Sequence, residues 1–178
     1  PLIRILKLTG IFLVAVIVIF AGVGLLLPSE FSGTVEKSVN APADKMCELL
    51  ATPRTWVSWS PWNPTAMPDM KSSYSGPETG VEAKWSWVQE QSNGSLIVTE
   101  YEAAKKMSYT LAFEGFSDPM KGSIDLSGDG DTTLVAWSYS GNMGANLLFR
   151  WVMLFADDTM ESEYHKAIDG VAKAAGSF

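Results

Sequence analysis

The chain has 178 residues, of which 47% are hydrophobic, and it carries 13 basic against 20 acidic side chains. The net charge of -7, which no basic patch interrupts, excludes nucleic acid as a partner. A single cysteine excludes an intrachain disulfide and a cysteine zinc cluster, and the apolar helical pattern around Cys47 predicts a small buried side chain.

The first part of the chain has the composition of a membrane anchor. An unbroken run of uncharged, mostly apolar side chains extends from Leu8 to Leu27. At about 1.5 Å of rise per residue, this run spans the roughly 30 Å hydrocarbon core of a bilayer. A cleaved secretory signal is the alternative, but such a signal has a shorter apolar stretch and a small-residue cleavage site. We therefore predict that residues 1–29 are an N-terminal membrane anchor.

The charges around the apolar run predict its orientation. Arg4 and Lys7 precede the run, and the first acidic residue, Glu30, follows it. Because positive flanks stay on the cytoplasmic side, we expect the N-terminus in the cytoplasm and the rest of the chain across the membrane. The predicted location is the inner (cytoplasmic) membrane of a bacterium, single-pass, with the domain of residues 30–178 periplasmic.

The predicted domain begins with one strand and two short helices. Residues 32–39 have the composition of a strand, and an entry proline then favours a helix over roughly residues 43–51. Pro53 interrupts this helix, and a second short helix is predicted over residues 54–58. The prolines between residues 60 and 69 indicate a loop.

From Met70 onward the hydrophobic period changes to two, which indicates β-strands. Turn residues separate these strands, and Ser92-Asn93-Gly94 is a strong hairpin signal because Asn and Gly tolerate positive φ. The connections are short, so we expect sequential antiparallel neighbours. The predicted strands cover residues 71–75, 81–91, 95–103, 106–116, 120–128 and 132–141.

The last segment, residues 145–176, has helical spacing and is predicted to be one long helix. Its first part, from Leu147 to Phe155, is almost wholly apolar but far too short to span a membrane, so a buried core helix is expected. The order of elements predicts an α+β domain in which a seven-stranded antiparallel sheet curls around a long C-terminal helix.

Four local motifs follow one another along the domain: Asn40-Ala-Pro-Ala, Trp56-Val-Ser-Trp59-Ser-Pro-Trp62, Tyr74-Ser-Gly-Pro-Glu-Thr-Gly80-Val and Trp137-Ser-Tyr-Ser-Gly141-Asn-Met143. In this order and at these spacings they resemble the bacterial membrane-anchored branch of the START-like superfamily, also called the SRPBCC or polyketide cyclase/dehydrase and lipid transport family. The resemblance covers roughly residues 30–176. It implies the helix-grip fold and a hydrophobic cavity, between the sheet and the long helix, that commonly holds an apolar small molecule.

Aromatic side chains on the strands, the proline-rich loop and the last helix are the candidate cavity lining, because such pockets are mostly apolar with a few polar groups. Plain core packing is the alternative for each single ring, since the sequence pattern is the same in both cases. The loop around Trp59 and Trp62 is either a lid, a membrane contact or a cap on the end of the sheet. The candidate ligand-binding residues are Trp59, Trp62, Trp85, Trp87, Tyr101, Tyr109, Phe113, Trp137, Tyr139 and Trp151.

The sequence offers no recognisable catalytic set. His165 shares a helix face with Glu161, and Asp157 adds an oxygen donor, but the solvated face of an amphipathic helix explains all three residues. No nucleophile elbow, phosphate loop or dinucleotide fingerprint occurs. We therefore predict no catalytic residue, no metal site and no cofactor.

These observations predict a membrane-anchored, non-catalytic binding domain for an apolar small molecule or lipid. One alternative is a polyketide cyclase/dehydratase-like enzyme, which the resemblance allows and which requires an ionisable group on the cavity wall. The other alternative is a cell-envelope interaction module with a collapsed pocket, which would expose a large apolar patch.

Overall fold

The computed structural model describes residues 2–90 and 92–176, which form five helices and seven strands. The helices are α1 (Leu2–Leu26), α2 (Ala43–Leu50), α3 (Trp56–Trp59), α4 (Leu147–Met153) and α5 (Asp157–Ala175), and a 3₁₀ turn at Pro53–Thr55 precedes α3. The strands are β1 (Glu30–Val39), β2 (Lys71–Ser75), β3 (Lys84–Val88), β4 (Gly94–Glu102), β5 (Lys106–Phe113), β6 (Met120–Asp129) and β7 (Thr132–Asn142).

All seven strands belong to one antiparallel sheet, in the order β1-β7-β6-β5-β4-β3-β2. Strands β2 to β7 form a meander, and β1 closes the series by pairing with β7, where Val35 lies opposite Trp137. Helices α2, α3 and α5 pack on one face of this sheet. The predicted α+β helix-grip fold is therefore confirmed, with an apolar helix in front of it.

Strand alternation divides the side chains of the sheet into two sets, as the period of two predicts. The set that faces the helices is apolar and buried, whereas the opposite face carries mainly hydroxyl side chains, such as Thr34 and Ser138, whose oxygens lie 2.9 Å apart. The buried set on the strands includes Val35, Trp85, Trp87, Leu96, Val98, Met107, Tyr109, Ile124, Leu126, Val135 and Trp137.

One predicted strand, residues 81–91, is shorter in the structure, where β3 covers only Lys84–Val88. Glu82 has a φ of 71°, and its backbone N–H donates to the Val98 carbonyl at 2.9 Å. A non-glycine residue at positive φ turns the chain, so regular pairing starts only after this residue. Sequence periodicity does not report such a turn, because Val81 and Glu82 still alternate between apolar and polar.

The predicted long helix over residues 145–176 is interrupted between Met153 and Asp157. Two tight i→i+3 hydrogen bonds, from Phe155 N–H to Val152 O and from Ala156 N–H to Met153 O, turn the chain there. The prediction of a buried core helix for its first part is wrong, because none of the seven residues of α4 is buried. Helix α4 lies along α1 instead of under the sheet.

Helix α1 is the one helix within the described residues that is long and apolar enough to cross a membrane. Nearly all of its apolar side chains are exposed, so it does not belong to the core of the domain. A signal sequence near the N-terminus passes the same test of length and composition.

Helix α5 approaches α3 so closely that a side chain at Gly170 has no space. A Cβ atom at this position would overlap the backbone carbonyl oxygen of Trp59. The absence of a side chain at Gly170 therefore allows α3, with its two tryptophans, to dock on α5.

We expect Gly170→Ala to lower the free energy of unfolding by roughly 1–3 kcal/mol, because the added methyl group forces the backbone of α3 to move. Gly176→Ala is the matched control on the same helix end, since its nearest neighbour, Ala172 O, would be at an ordinary 3.5 Å. Urea unfolding of both variants in detergent, followed by tryptophan fluorescence, measures the difference, and equal stabilities would show that α3 is not held by this contact.

Candidate ligand-binding cavity

An apolar cavity of about 210 Å³ lies between strands β3 to β5, the loop that follows α3, and α5. Aromatic rings and methionines form most of its wall, and two leucines, one amide and one serine hydroxyl complete it. The lining residues are Trp56, Trp62, Met67, Met70, Trp85, Trp87, Gln89, Ser92, Leu96, Tyr109, Leu111, Phe113 and Tyr164.

Trp56 is the centre of the aromatic packing at the closed end of the cavity. Its ring contacts Trp137 edge-on at 5.9 Å and Tyr109 edge-on at 5.6 Å, and its Nε1 donates to Leu50 O at 2.8 Å. Trp62, on the loop after α3, lies nearly parallel to Trp56 with centroids 6.3 Å apart. Offset and edge-to-face geometries are the favourable ones for aromatic rings, so this end is rigid.

Strand β3 supplies the opposite wall. Trp85 and Trp87 tilt against each other at 5.0 Å, and Phe113 of β5 meets Trp87 edge-on at 5.7 Å. The Trp85 Nε1 reaches across to the hydroxyl of Ser72 on β2 at 3.0 Å, so the polar atom of this ring is satisfied outside the cavity. Trp85 therefore offers only its apolar ring faces to a guest.

Two tyrosines supply hydroxyl groups at the inner end. Tyr109 Oη accepts a hydrogen bond from Trp137 Nε1 at 3.0 Å and also bonds to Tyr164. Burial raises the pKa of Tyr109 to about 12, although both hydrogen bonds lower it. Burial and the neighbouring Tyr109 also raise the pKa of Tyr164 far above its usual range. Both side chains are therefore neutral at physiological pH and act as hydrogen-bonding groups.

The amide of Gln89 is the exceptional polar group of the cavity. Its Nε2 donates to the Ser92 hydroxyl at 3.2 Å, but its Oε1 is buried and has no hydrogen-bond partner anywhere in residues 2–90 and 92–176. An unpaired buried acceptor costs about 1–3 kcal/mol. A bound group that donates a hydrogen bond would remove this cost.

Five of the ten candidate ligand-binding residues line the cavity: Trp62, Trp85, Trp87, Tyr109 and Phe113. The other five lie elsewhere. Trp59 is buried under α5 and donates to the Thr55 hydroxyl at 3.0 Å, and Trp137 is buried in the core behind Tyr109. Tyr139 stacks flat on Tyr164 at 4.6 Å.

Tyr101 and Trp151 also lie outside the lining, each in a different part of the structure. Tyr101 lies at the other end of β4, near Gly80 and Cys47. Trp151 stacks on Phe20 of α1 with ring centroids 5.0 Å apart. Cys47 itself is buried, as the sequence predicts, and burial raises the pKa of its thiol.

Sequence reasoning did not select several lining residues, although some carried a signal. Gln89 has the same strand parity as Trp85 and Trp87, so alternation alone places it on the inward face. Trp56 belongs to the same tryptophan-rich motif as Trp59 and Trp62. The sequence pattern does not predict that Met67, Met70 and Tyr164 line the cavity. Met67 and Met70 lie in a loop without periodicity, and the apolar stripe that contains Tyr164 does not indicate whether its residues face a cavity or a solid core.

The described part of the lining contains no carboxylate, imidazole or amine. His165 lies on α5 outside the cavity, with its Nε2 3.5 Å from Glu161 Oε1. No group of three metal-binding side chains occurs among the described residues, and the side chain of Asp157 lies outside them. A wider depression of about 710 Å³ lies on the outward face of the sheet, but hydroxyl groups line it and it is open to solvent.

Comparison with protein families gives a match over residues 30–176 to the family described as polyketide cyclase / dehydrase and lipid transport. The chain belongs to this family. The match confirms the superfamily that the four motifs indicated, and the domain is of the ligand-binding or cyclase-like type that this family comprises. A search of curated proteins finds no match.

Solved structures of distant proteins share the fold of this family member. Protein CV1439 from Chromobacterium violaceum has a TM-score of 0.58 at 10% identity, over 82% of this chain and 97% of that one. A point mutant of norcoclaurine synthase from Thalictrum, solved with a transition-state analogue, has a TM-score of 0.59 at 13% identity, over 83% and 95% of the two chains. The Aha1 dimer from Colwellia psychrerythraea gives 0.55 at 14% identity, over 82% and 96%.

We expect the free energy of unfolding of this family member to fall as the pH rises from about 10 to about 12. The pKa of Tyr109 is raised from an unfolded value of about 10 to about 12, so the unfolded chain loses its proton first. The stabilising contribution is complete below pH 10 and is lost through pH 12, which amounts to about 2–3 kcal/mol.

Urea unfolding in detergent between pH 9 and pH 12 measures this slope. The Tyr109→Phe variant removes the titrating hydroxyl and should show a shallower decrease, although Tyr164 still contributes in the same direction. An identical slope in both proteins would show that Tyr109 is not the buried titrating group.

Proposed function

We propose that this chain is a membrane-anchored, non-catalytic binding domain for a small, mostly apolar molecule that carries one hydrogen-bonding group. The observation that carries the proposal is the aromatic cavity with the unpartnered Oε1 of Gln89 on its wall. Pockets for small molecules combine an apolar lining with a few convergent polar groups, and this cavity has that composition.

The size of the cavity limits the ligand. An apolar protein cavity of roughly 150 Å³ already admits benzene, whereas pockets for drug-sized molecules have roughly 300–1,000 Å³. At about 210 Å³ the cavity suits one ring or one short chain, and a diacyl lipid would not fit inside it. The ligand class that we propose is therefore a single-ring or short-chain molecule with a hydroxyl or amine group.

The chemistry of the lining supports binding over acid–base catalysis. General acid–base catalysis works best with a group whose pKa lies near the working pH. The ionisable lining groups are Tyr109 and Tyr164, and burial raises the pKa of both, away from neutrality. These hydroxyls can orient a ligand but do not exchange protons readily at pH 7.

The apolar helix α1 supports the membrane anchor. Its length and composition suit one bilayer span, and Arg4 and Lys7 in front of residues 8–27 favour a cytoplasmic N-terminus. Trp151 of α4 donates to Phe20 O of α1, and Arg150 donates to Leu25 O at 3.4 Å and to Leu27 O directly after α1. A segment that the domain holds in this way fits a permanent anchor better than a signal that is cleaved off.

We expect the full chain in detergent to bind p-cresol about fivefold more tightly than toluene, because the hydroxyl donates to Gln89 Oε1 and one net hydrogen bond contributes about 1 kcal/mol. Gln89→Met keeps the length of the side chain but removes the amide, so this preference should disappear. Isothermal titration calorimetry or ligand-detected NMR measures both affinities.

Two substitutions that each introduce a tryptophan, one in the cavity and one outside it, test the location of the site. Leu111→Trp fills the cavity and should weaken binding of both compounds by roughly tenfold or more. Leu134→Trp lies on the exposed face of β7 and should change neither affinity. Equal binding in all variants would contradict the proposed site.

For the anchor, we expect the intact chain to stay in the membrane pellet after alkaline carbonate washing, with no loss of residues 1–29. A C-terminal alkaline phosphatase fusion should be active, whereas the same fusion with Arg4→Glu and Lys7→Glu should lose activity because the positive flank is gone. Release of a shortened domain into the soluble fraction would identify residues 1–29 as a cleaved signal.

A further inference from the structure

Helix α4 and the turn after it expose an unusually apolar surface for a folded domain. Five large hydrophobic side chains within nine residues face solvent or are only partly covered. A contiguous apolar surface of this kind indicates a contact with a membrane or another molecule. The exposed fractions are 62% for Leu148, 38% for Phe149, 50% for Val152, 48% for Leu154 and 80% for Phe155.

Helix α4 lies against the C-terminal part of the proposed membrane anchor. The ring of Trp151 stacks on Phe20 at 5.0 Å with an interplanar angle of 12°, and its Nε1 donates to Phe20 O at 3.2 Å. Gly24 allows this approach, because a Cβ atom there would lie only 3.0 Å from Trp151 Nε1. The two helices therefore have a defined contact.

Arg150 fixes the position of α4 along the axis of α1. Its Nη1 donates to Leu27 O at 3.1 Å, while its Nη2 and Nε donate to Gly144 O at 2.6 Å and 3.0 Å. A cation at this place satisfies carbonyls that the end of a helix leaves unpaired, and it complements the negative end of the helix dipole. The guanidinium group thus joins the end of α1 to the segment that leads into α4.

The contact region sets the depth of α4 relative to a bilayer that α1 crosses. From Phe20 to Leu27 the helix rises about 10 Å, which is the part of the span nearest the domain. Amphipathic helices on membranes bury their apolar face about 5–10 Å into the boundary of headgroups and acyl chains. Helix α4 therefore lies at the depth where interfacial helices bind, with Arg150 at the level of the headgroups.

We propose that the exposed apolar face of α4 and the turn at Leu154 and Phe155 form a second membrane-contact site, which binds lipid acyl chains beside α1. This inference rests on the membrane anchoring in the proposed function. The bilayer is the occupant that we propose, because α1 already places its apolar side chains next to this face. The contact is apolar, and the chain becomes acidic only after Ala156, at Asp157 and Asp158.

This contact also orients the cavity. Phe113 of the cavity wall meets Phe116 at 6.3 Å, and Phe116 meets Phe149 of α4 at 4.9 Å. A row of three aromatic rings thus leads from the cavity wall to the face of α4. With α4 in the lipid boundary, the Phe113 side of the cavity lies toward the membrane, so an apolar ligand would have a short path from the lipid phase.

The test uses the full chain in vesicles of phosphatidylethanolamine and phosphatidylglycerol, with an environment-sensitive fluorophore on one introduced cysteine. Phe155→Cys reports the α4 surface, Ile17→Cys reports the anchor, and Thr132→Cys is the matched control at the exposed first residue of β7. Native Cys47 is buried, so the unmodified chain serves as the labelling blank. Vesicles that contain lipids with a doxyl quencher, near the headgroup in one set and at mid-chain in another, are compared with vesicles without it.

We expect the label at Phe155 to lose fluorescence to the doxyl lipid to an extent comparable with Ile17 and several times that at Thr132. A second label at Leu148→Cys should give the same result at the other end of α4. Quenching at Ile17 without quenching at Phe155 and Leu148 would overturn the membrane contact of α4 and leave the anchor in place. No quenching at Ile17 would instead overturn the anchor, and with it this inference.

Discussion

The space between the curled sheet and α5 is filled by flat aromatic rings, and this constraint determines where the domain is solid and where it is hollow. Trp56 and Trp137 pack edge-on against each other and against Tyr109, so one end of the space is closed. Protein interiors reach crystal-like density only when neighbouring shapes interlock. The rigid rings on β3 and β5 leave a gap that the two methionines and two leucines of the lining do not fill. A cavity with flat apolar walls results.

Among the described residues, the buried polar side-chain atoms are hydrogen-bonded, with the exception of Gln89 Oε1. The Nε1 atoms of Trp56, Trp85 and Trp137 all donate to partners at 2.8–3.0 Å, and the buried hydroxyl of Thr133 donates to Ala41 O at 2.6 Å. Burying a polar group without a partner is costly, so such atoms are normally paired. Gln89 Oε1 departs from this rule on the cavity wall. Gln89 is a lining residue, so the proposed specificity rests on a ligand donor that pairs with this oxygen.

Much of the fold could be predicted from the sequence, because alternation in strands reports burial directly. The inward position of Trp85, Trp87 and Tyr109 follows from a period of two, and turn residues locate the hairpins. Alternation does not predict which residues along a strand lie at the cavity and which lie at the other end of the sheet. Tyr101 shares the inward face, but the register shift between Val98 and Glu100 and the length of β4 bring it to the end near Cys47. Likewise, an apolar stripe on a helix predicts that this face is buried, but it does not predict which part of the fold covers it.

The interruption between α4 and α5 connects the two proposals in one geometric argument. A continuous helix over residues 147–175 would be about 43 Å long, whereas a strand of ten residues, such as β1, extends about 33 Å. Its first turns would therefore project beyond the sheet with no surface to cover their apolar side chains. The turn between Met153 and Asp157 directs this segment onto α1 instead. The residues that extend beyond the core thus form the proposed lipid-contact surface, and Phe116 and Phe149 connect that surface to the cavity wall.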